Sequence, residues 1–274
     1  MLRLRILSAV VGVPVLLLIA FAGGGWFVGA VALGSVAASY EVFSMLTAAG
    51  HRPLSVLGIG LTVALVLDAL VTDASILPAI LVIGVLIGLY QMMVRADSNG
   101  ALTDWALTLA PAIYVGGTMH YFIPLRNLPE GLFWMLMSLI GTWVCDIAAF
   151  FVGRRWGNAR LAPRISPGKS VEGAVGGLVG AVAAAVILGP LLGSLLVSTG
   201  LGTYATPGLF RLAGLGLVIG ICAIVGDLME SFIKRQCGAK DSGALIPGHG
   251  GVLDRIDSVL LAVVGAYFYV VTTS

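Results

Sequence analysis

Apolar residues occupy this chain in nine long blocks, at roughly 6–22, 26–48, 54–72, 75–94, 105–124, 131–152, 171–198, 208–232 and 252–272, with most charges left to the joints. A helix needs about 20 such residues to cross the roughly 30 Å hydrocarbon core of a bilayer. Lipid offers the backbone no partner, so a crossing segment must satisfy its own N–H and C=O groups, as a helix does. The pattern predicts an all-α, polytopic integral membrane protein with about nine transmembrane helices and no room for a sizeable soluble domain. The first block follows Arg3 and Arg5 as a signal peptide would. No polar mature domain comes after it, so a retained first helix is expected.

Composition agrees: 59% of residues are hydrophobic, 10% are charged and the mean hydropathy is +1.06, whereas soluble domains average about a quarter charged residues. The net charge of +2 gains meaning only when mapped onto the helices. Nine crossings put the N-terminus and every second loop on one side, with Arg3, Arg5, Arg52, Arg95, Arg154, Arg155, Arg160, Arg164, Lys169, Lys234, Arg235, Lys240 and Arg255. Only Arg126 and Arg211 fall on the other. Basic loops stay inside, so the N-terminus and the charged loops are expected in the cytoplasm.

Character changes along the chain. Residues 1–130 form five predicted helices whose apolar runs hold or adjoin only three acids, Glu41, Asp68 and Asp104. Asp68 and Asp104 suit an interfacial position or a hydrogen bond to a neighbouring helix as well as a polar interior. Glu41 lies well inside its block, near the cytoplasmic half, and is a candidate to reach a site. Residues 131–274 carry the last four helices and two basic cytoplasmic loops, about 153–170 and 233–251, and form the expected catalytic region. Gly173, Gly176, Gly177 and Gly180 make interleaved small-xxx-small pairs for close helix packing. Cys145, Cys222 and Cys237 show no CxxC spacing, so neither a zinc site nor a disulfide framework is expected.

Chemistry concentrates in Ser231–Asp257, SFIKRQCGAKDSGALIPGHGGVLDRID. Asp227 lies just upstream, two helical turns before Lys234, a depth at which a carboxylate needs a metal or an ion pair. Asp254 and Asp257, three apart, share a face at the start of the last helix, where acids also complement the helix dipole. With Asp227 they form an all-oxygen set suited to Mg2+, which takes one or two carboxylates and completes its shell with water and phosphate oxygens. Asp227 and Asp254 are the expected ligands. Lys234, Arg235, Lys240 and Arg255 can neutralise phosphates, and the Gly248–Gly251 stretch, with Gly250 and Gly251, lets backbone N–H groups approach an anion. His249 fits a phosphate contact better than a general base, because a phosphate nucleophile is already ionised near neutrality.

A second group surrounds the other loop. Asp146 lies two turns from the cytoplasmic end of its block, ahead of GRRWGNARLAPRISPGKSVEG. PGKS invites a Walker A reading, but Pro163 stands where that motif needs glycine and no strand precedes it. What remains is Ser166, Lys169 and Ser170 before a helix N-terminus that favours anions, with Glu172 in its first turn.

The run Ser231-x-x-Lys234-Arg235, Lys240-Asp241-x-Gly243, then Pro247-x-His249-Gly250-Gly251-x-x-Asp254-Arg255-x-Asp257, resembles the signature of the phosphatidate cytidylyltransferase (CDP-diglyceride synthase) family. Asp146, Gly153-Arg154 and SPGKSVEG resemble that family's upstream region, so the likeness runs from about 140 to the C-terminus. Asn158 departs from it, where lysine is favoured, as does Gly168, where a larger polar residue is common. The resemblance implies transfer of the cytidylyl group of CTP to phosphatidic acid, giving CDP-diacylglycerol and pyrophosphate, at the cytoplasmic face of the inner membrane. It implies Mg2+ at Asp227 and Asp254 with a second cation such as K+ nearby, and a homodimer. Lys234, Arg235, Lys240 and Arg255 then hold phosphates, while Asp241 and Asp257 complete the polar network. Ser231, Asp146, Ser166, Lys169, Ser170, Glu172, His249, Gly250 and Gly251 are the implied substrate contacts. No nucleic-acid partner is expected. Two rivals are a CTP-dependent polyprenol or phytol kinase and an ion-coupled transporter using Asp146, Asp227 and Glu41. The transporter leaves the clustered cytoplasmic cations unexplained.

Overall fold

A computed structural model describes residues 2–71, 76–95, 99–202, 207–246, 248 and 250–273, with side chains described at 10, 12 and from 14 onward. Among the described residues, the named elements are helices apart from one short hairpin. Its elements are α1 (Leu2–Ala22), α2 (Gly24–Ala48), α3 (Ser55–Asp68), α4 (Leu77–Met93), α5 (Ala101–His120), α6 (Phe122–Asn127), α7 (Gly131–Trp156), β1 (Arg160–Ala162), β2 (Ser166–Ser170), α8 (Val171–Ser198), α9 (Leu209–Gln236) and α10 (Leu253–Thr273). Among the described residues, α2, α7, α8, α9 and α10 are long and apolar enough to cross a membrane, while α3 and α4 are shorter apolar helices. Each of the nine apolar blocks holds one of the helices α1–α5 and α7–α10, and the block at 105–124 also runs into the short α6. The block expected over 54–72 stops early, because Ala69, Leu70 and Val71 donate to carbonyls only three residues back.

The chain divides into two compact units, Met1–Ile123 with Lys234–Arg255, and Pro124–Ile233 with Ile256–Ser274. In the first, α3 packs against α2, α4 and α5. Leu61, Leu65, Leu109 and Ala112 form a buried cluster, covered by Leu77, Ile80, Leu81, Val85 and Trp105. Hydrogen bonds tie its loops. Buried Asp104 accepts from the Arg52 N–H at 2.8 Å and meets the Arg95 guanidinium at 3.3 Å, and Arg95 also donates to the Arg52 carbonyl at 3.0 Å. Asp68 accepts from the Ile76 N–H at 2.8 Å. Both acids therefore serve the fold as hydrogen-bond acceptors.

In the second unit α7 and α8 pack along one another. The glycine stripe of α8 lies in that seam: a Cβ at Gly177 would stand 2.9 Å from the Cys145 carbonyl, and one at Gly180 would stand 2.6 Å from Ala148 Cβ. These glycines bring two helices of the same chain together. On α8, Val175, Val179, Ile187, Leu191 and Leu195 are exposed. Cys145, Ala181 and Ala223 join α7, α8 and α9 in a small buried cluster. A Cβ at Gly226 of α9 would lie 2.6 Å from the Asp257 carbonyl of α10, so these helices also touch backbone to backbone, one residue before Asp227.

The basic stretch expected as a loop over 153–170 is more ordered than that. α7 continues through Gly153, Arg154 and Arg155 to Trp156, and the chain then forms the antiparallel β1–β2 pair, with Arg160 opposite Ser170 and Ala162 opposite Ser166. Its turn closes with the Ile165 N–H on the Ala162 carbonyl at 3.1 Å. Pro163, in the second position of that turn, supplies the φ it needs. A strand therefore does precede Pro163, against expectation, and the proline that excluded a Walker loop builds the hairpin turn.

Close approach gives a direct test. Gly177→Val forces the α7–α8 seam apart and should destabilise the protein by about 1–3 kcal/mol. Gly60→Ala, at a helical position with open space around the added methyl, should be neutral or slightly stabilising. Thermal unfolding in detergent micelles compares the two.

Candidate active site

In the first unit the site segment begins where α9 ends. The Gly238 N–H bonds the Arg235 carbonyl at 3.1 Å and the Ala239 N–H bonds the Lys234 carbonyl at 2.8 Å, with Gly238 at φ 67°. This is a Schellman closure, in which glycine takes the left-handed position without a Cβ clash. Cys237, in the same turn, is half-buried, and burial pushes its thiol up, away from reactive thiolate.

Lys234 turns its ammonium onto Asp254 Oδ1 at 2.7 Å, with side-chain exposures of only 13% and 5%. Asp254 Oδ2 accepts from the Ser242 N–H at 3.0 Å and the Gly251 N–H at 2.9 Å. The Ile246 N–H meets the Gly250 carbonyl at 2.9 Å, closing the loop on itself. Behind Asp254 lies Glu41 of α2, 2% exposed. It accepts from the Val252 N–H at 2.8 Å, the Leu253 N–H at 2.9 Å and the Ser242 hydroxyl at 2.9 Å. The first N–H groups of a helix have no partner within it. Here a residue some 200 positions earlier supplies acceptors at the start of α10, and its negative charge suits that end of the helix dipole.

Lys240, Asp241 and Arg255 are exposed, as is Arg235, which donates to the Ala239 carbonyl at 3.1 Å. Gly251 is buried, and Gly250 has φ 82°. His249 and Pro247 lie outside the described residues.

The second unit holds a cavity of about 570 Å³ lined by four elements. α7 gives Asp146, Ala149, Phe150, Gly153 and Arg154; the hairpin gives Arg160, Leu161, Gly168, Lys169 and Ser170; α8 gives Gly173 and Ala174; α9 gives Ile224 and Asp227. Lys169 Nζ lies 2.5 Å from Asp227 Oδ2, and the Ser231 hydroxyl is 3.3 Å from Asp227 Oδ1. The Ser258 hydroxyl lies 3.5 Å from Asp146 Oδ1, and Asp257 accepts the Ser258 N–H at 2.7 Å. Three cations and two carboxylates thus face one volume, a pattern suited to a polyanion and its counter-ion.

Local interactions hold the rim. Ser170 caps α8 by accepting the Gly173 N–H at 3.1 Å. Glu172 accepts from the Asn158 and Ala159 N–H groups, each at 3.1 Å, tying the exit of α7 to the helix behind the hairpin. Ser166 pairs with Ala162 in the strand ladder.

The sequence-predicted residues therefore gather as two sets. Lys234, Gly251 and Asp254 form one, in the first unit. Asp146, Lys169, Ser170 and Asp227 form the other, in the second, and the two expected metal ligands fall one in each. Among the described residues, no group of three or more His, Cys, Asp or Glu side chains is placed to hold a metal ion. Asp227 offers hard oxygen donors at a cavity wall, which fits magnesium with water and phosphates completing the shell. Asp254 already has a cation on one oxygen and two N–H groups on the other. Sequence reasoning missed Ser242 and Arg160, for which no spacing signalled a role, and left the partners of Glu41 undefined.

Comparison with known proteins bears on both sets, because a model of the cytidylyltransferase family matches residues 3–273. The chain belongs to the cytidylyltransferase family. Relatives of the chain include the phosphatidate cytidylyltransferase of Synechocystis sp., 33% identical over an alignment covering 97% of this chain and 96% of that protein. The Bacillus subtilis protein of the same name is 36% identical over 59% of this chain and 56% of its own length. That of Pseudomonas aeruginosa reaches 53% identity, over 50% of this chain and 46% of its own. Both units lie within the family match.

The Lys234–Asp254 pair carries a stability prediction. Removing one member of a mostly buried pair leaves an uncompensated charge, at about 3–5 kcal/mol. Lys234→Ala should lower the unfolding temperature clearly, and adding Asp254→Asn should recover part of the loss. Strict additivity in that double-mutant cycle would mean the two side chains do not interact.

Proposed function

We propose that this protein transfers the cytidylyl group of CTP to phosphatidic acid, releasing pyrophosphate and leaving CDP-diacylglycerol in the membrane. The observation that carries the reading is the match along nearly the whole of both chains to a relative named phosphatidate cytidylyltransferase. The cavity supports it with Arg154, Arg160 and Lys169 as phosphate partners at the N-terminus of α8. In the reaction a phosphatidate oxygen bonds to the α-phosphorus of CTP, and the bond from that phosphorus to the bridging oxygen of the β-phosphate breaks. No proton need be removed from an ionised phosphate, so alignment and charge neutralisation dominate.

Roles follow from position. Lys169, Arg154 and Arg160 bind phosphate oxygens in the cavity. Exposed Arg235, Lys240 and Arg255 meet the incoming nucleotide, with Asp241, Asp257, Ser231, Ser166 and the Gly250–Gly251 turn completing the polar surroundings. Asp227 and Asp254 are the carboxylates proposed for magnesium, which when bound neutralises phosphate charge; a second cation such as K+ belongs to the same reading. Asp227, whose oxygens face the cavity, supports this reading, whereas Lys169 on Asp227 and Lys234 on Asp254 are cations that the metal would have to displace. The helices of the nine apolar blocks are taken to cross a plasma membrane, with the N-terminus and the basic loops cytoplasmic, and the enzyme to act as a homodimer.

Purified protein incubated with labelled CTP, phosphatidate vesicles and Mg2+ should yield labelled CDP-diacylglycerol and pyrophosphate. Release of CDP with a phosphorylated lipid alcohol would instead indicate a kinase. Asp227→Asn should abolish Mg2+-dependent turnover in a protein that still folds, and near-normal activity would remove it as a ligand. Lys240→Ala should raise the KM for CTP several-fold with kcat little changed; an unaltered profile would leave its charge a topological role alone.

A further inference from the structure

Glu41 is the most deeply buried charged side chain in the first unit with a fully defined set of partners, and nothing in the reaction above uses it. It sits inside an apolar helix that is long enough to cross the membrane, where an acid is costly unless it meets donors. It meets three, in the segment after α9 and at the first residue of α10, from residues 201 to 212 positions further along the chain. Each contact fixes a different part of that segment. The Val252 and Leu253 N–H groups start α10. The Ser242 hydroxyl holds the middle of the loop.

From Ser242 the connection passes directly to Asp254. The Ser242 N–H donates to Asp254 Oδ2, and the Ser242 oxygen accepts the Asp254 N–H at 3.3 Å. Ser242 is 3% exposed, so water does not substitute for these bonds. The glycines of the loop leave space for the same carboxylate. A Cβ at Gly251 would overlap Glu41 Oε2 and Ser242 Oγ, and one at Gly243 would lie 2.9 Å from Glu41 Oε1. Gly251 is needed for what stands against it as well as for its own N–H.

We infer that Glu41 is a positioning residue for cytidylyl transfer: acting through Ser242 and the first N–H groups of α10, it fixes the Asp254 carboxylate and the loop that carries Lys240 and Asp241. This inference rests on the proposed reaction. Glu41 does not touch substrate. Its contribution is to hold Asp254 in one orientation, and a displacement of about 1 Å at a reacting centre can lower a rate 100-fold.

The test uses full-length protein reconstituted in phosphatidate vesicles, with kcat and KM for CTP expressed per mole of monodisperse protein. If wild type forms no CDP-diacylglycerol, the functional reading fails and the inference falls with it. With an active wild type, Glu41→Gln, which keeps the shape but presents an amide to the α10 N–H groups, should reduce kcat about 10- to 100-fold. The KM for CTP should change less than about threefold, because the exposed cations that meet the nucleotide are untouched. Amide hydrogen exchange at Val252 and Leu253 should quicken in the same variant, with no substrate present. Ser242→Ala should lower kcat in the same direction, and the double variant should be little worse than Glu41→Gln alone, since both act along one path. A lower unfolding temperature with wild-type kcat would make Glu41 a structural residue only and overturn the inference; so would full additivity. Should Glu41→Gln fail to fold, Ser242→Ala keeps two of the three bonds to Glu41 and decides alone: unchanged kcat overturns the inference.

Discussion

An acid carried into an apolar helical protein must find hydrogen-bond donors before the chain can close around it, and this requirement organises the first unit. Desolvating a carboxylate without partners is far more costly than any single packing contact can offset. Glu41 resolves the problem by meeting two helix-start N–H groups and a hydroxyl, Asp104 by meeting Arg95 and a loop amide, and Asp68 by meeting the Ile76 amide. Apart from the Leu253 N–H, which opens α10, these donors lie on connections between helices. The acids therefore fix the loops, which have little apolar surface of their own. For the segment between α9 and α10 the consequence is specific, because its buried residues face Glu41 while Lys240, Asp241 and Arg255 are left exposed.

The second unit solves a different problem, that of opening a polar volume beside tightly packed membrane helices. Glycine does this from both directions. Along the α7–α8 seam it removes side chains and brings backbones together, and at Gly153 and Gly157 it leaves room for Ser170: a Cβ at Gly153 would lie 3.0 Å from Ser170 Oγ, and one at Gly157 would lie 2.6 Å from it. With the helices drawn in below, the β1–β2 hairpin stands over the cavity and contributes Arg160 and Lys169. A hairpin holds those cations in place at less entropic cost on binding than a free loop, since its backbone is already ordered.

Much of this was legible from residues alone, and the failures have physical causes. Long apolar blocks specify helices because lipid leaves the backbone no alternative, so each of the nine contained one. Their ends were less legible. Trp156 and the residues before it are polar or aromatic and read as a loop, yet α7 persists through them. The hairpin was missed because SPGKS has no period-2 apolar pattern; its pairing depends on Pro163 and on the anchored start of α8. Asp254, Asp227, Lys234 and Lys169 stood out because charge is scarce in this chain. Their pairing, Lys234 with Asp254 and Lys169 with Asp227, was not readable, since contacts across 20 and 58 residues follow from helix ends that the sequence does not locate. Glu41 was visible as an anomaly, but its partners lie some 200 residues away and leave no local trace.

The two lysine–carboxylate pairs share a logic that bears on the proposed chemistry. Each of the aspartates assigned to magnesium holds an ammonium group at 2.5 to 2.7 Å. A compact, strongly hydrated charge on a flexible stem is the side chain best able to leave such a position when a stronger cation arrives. An arginine would be held by two parallel bonds and would exchange less readily. Lys169 and Lys234 keep these carboxylates compensated, each within its own unit, and would be the groups to yield if a metal bound to either. Each pair leaves its acid compensated, the largely buried Asp254 by Lys234 and the partly exposed Asp227 by Lys169, which is what a setting poor in water asks of a carboxylate.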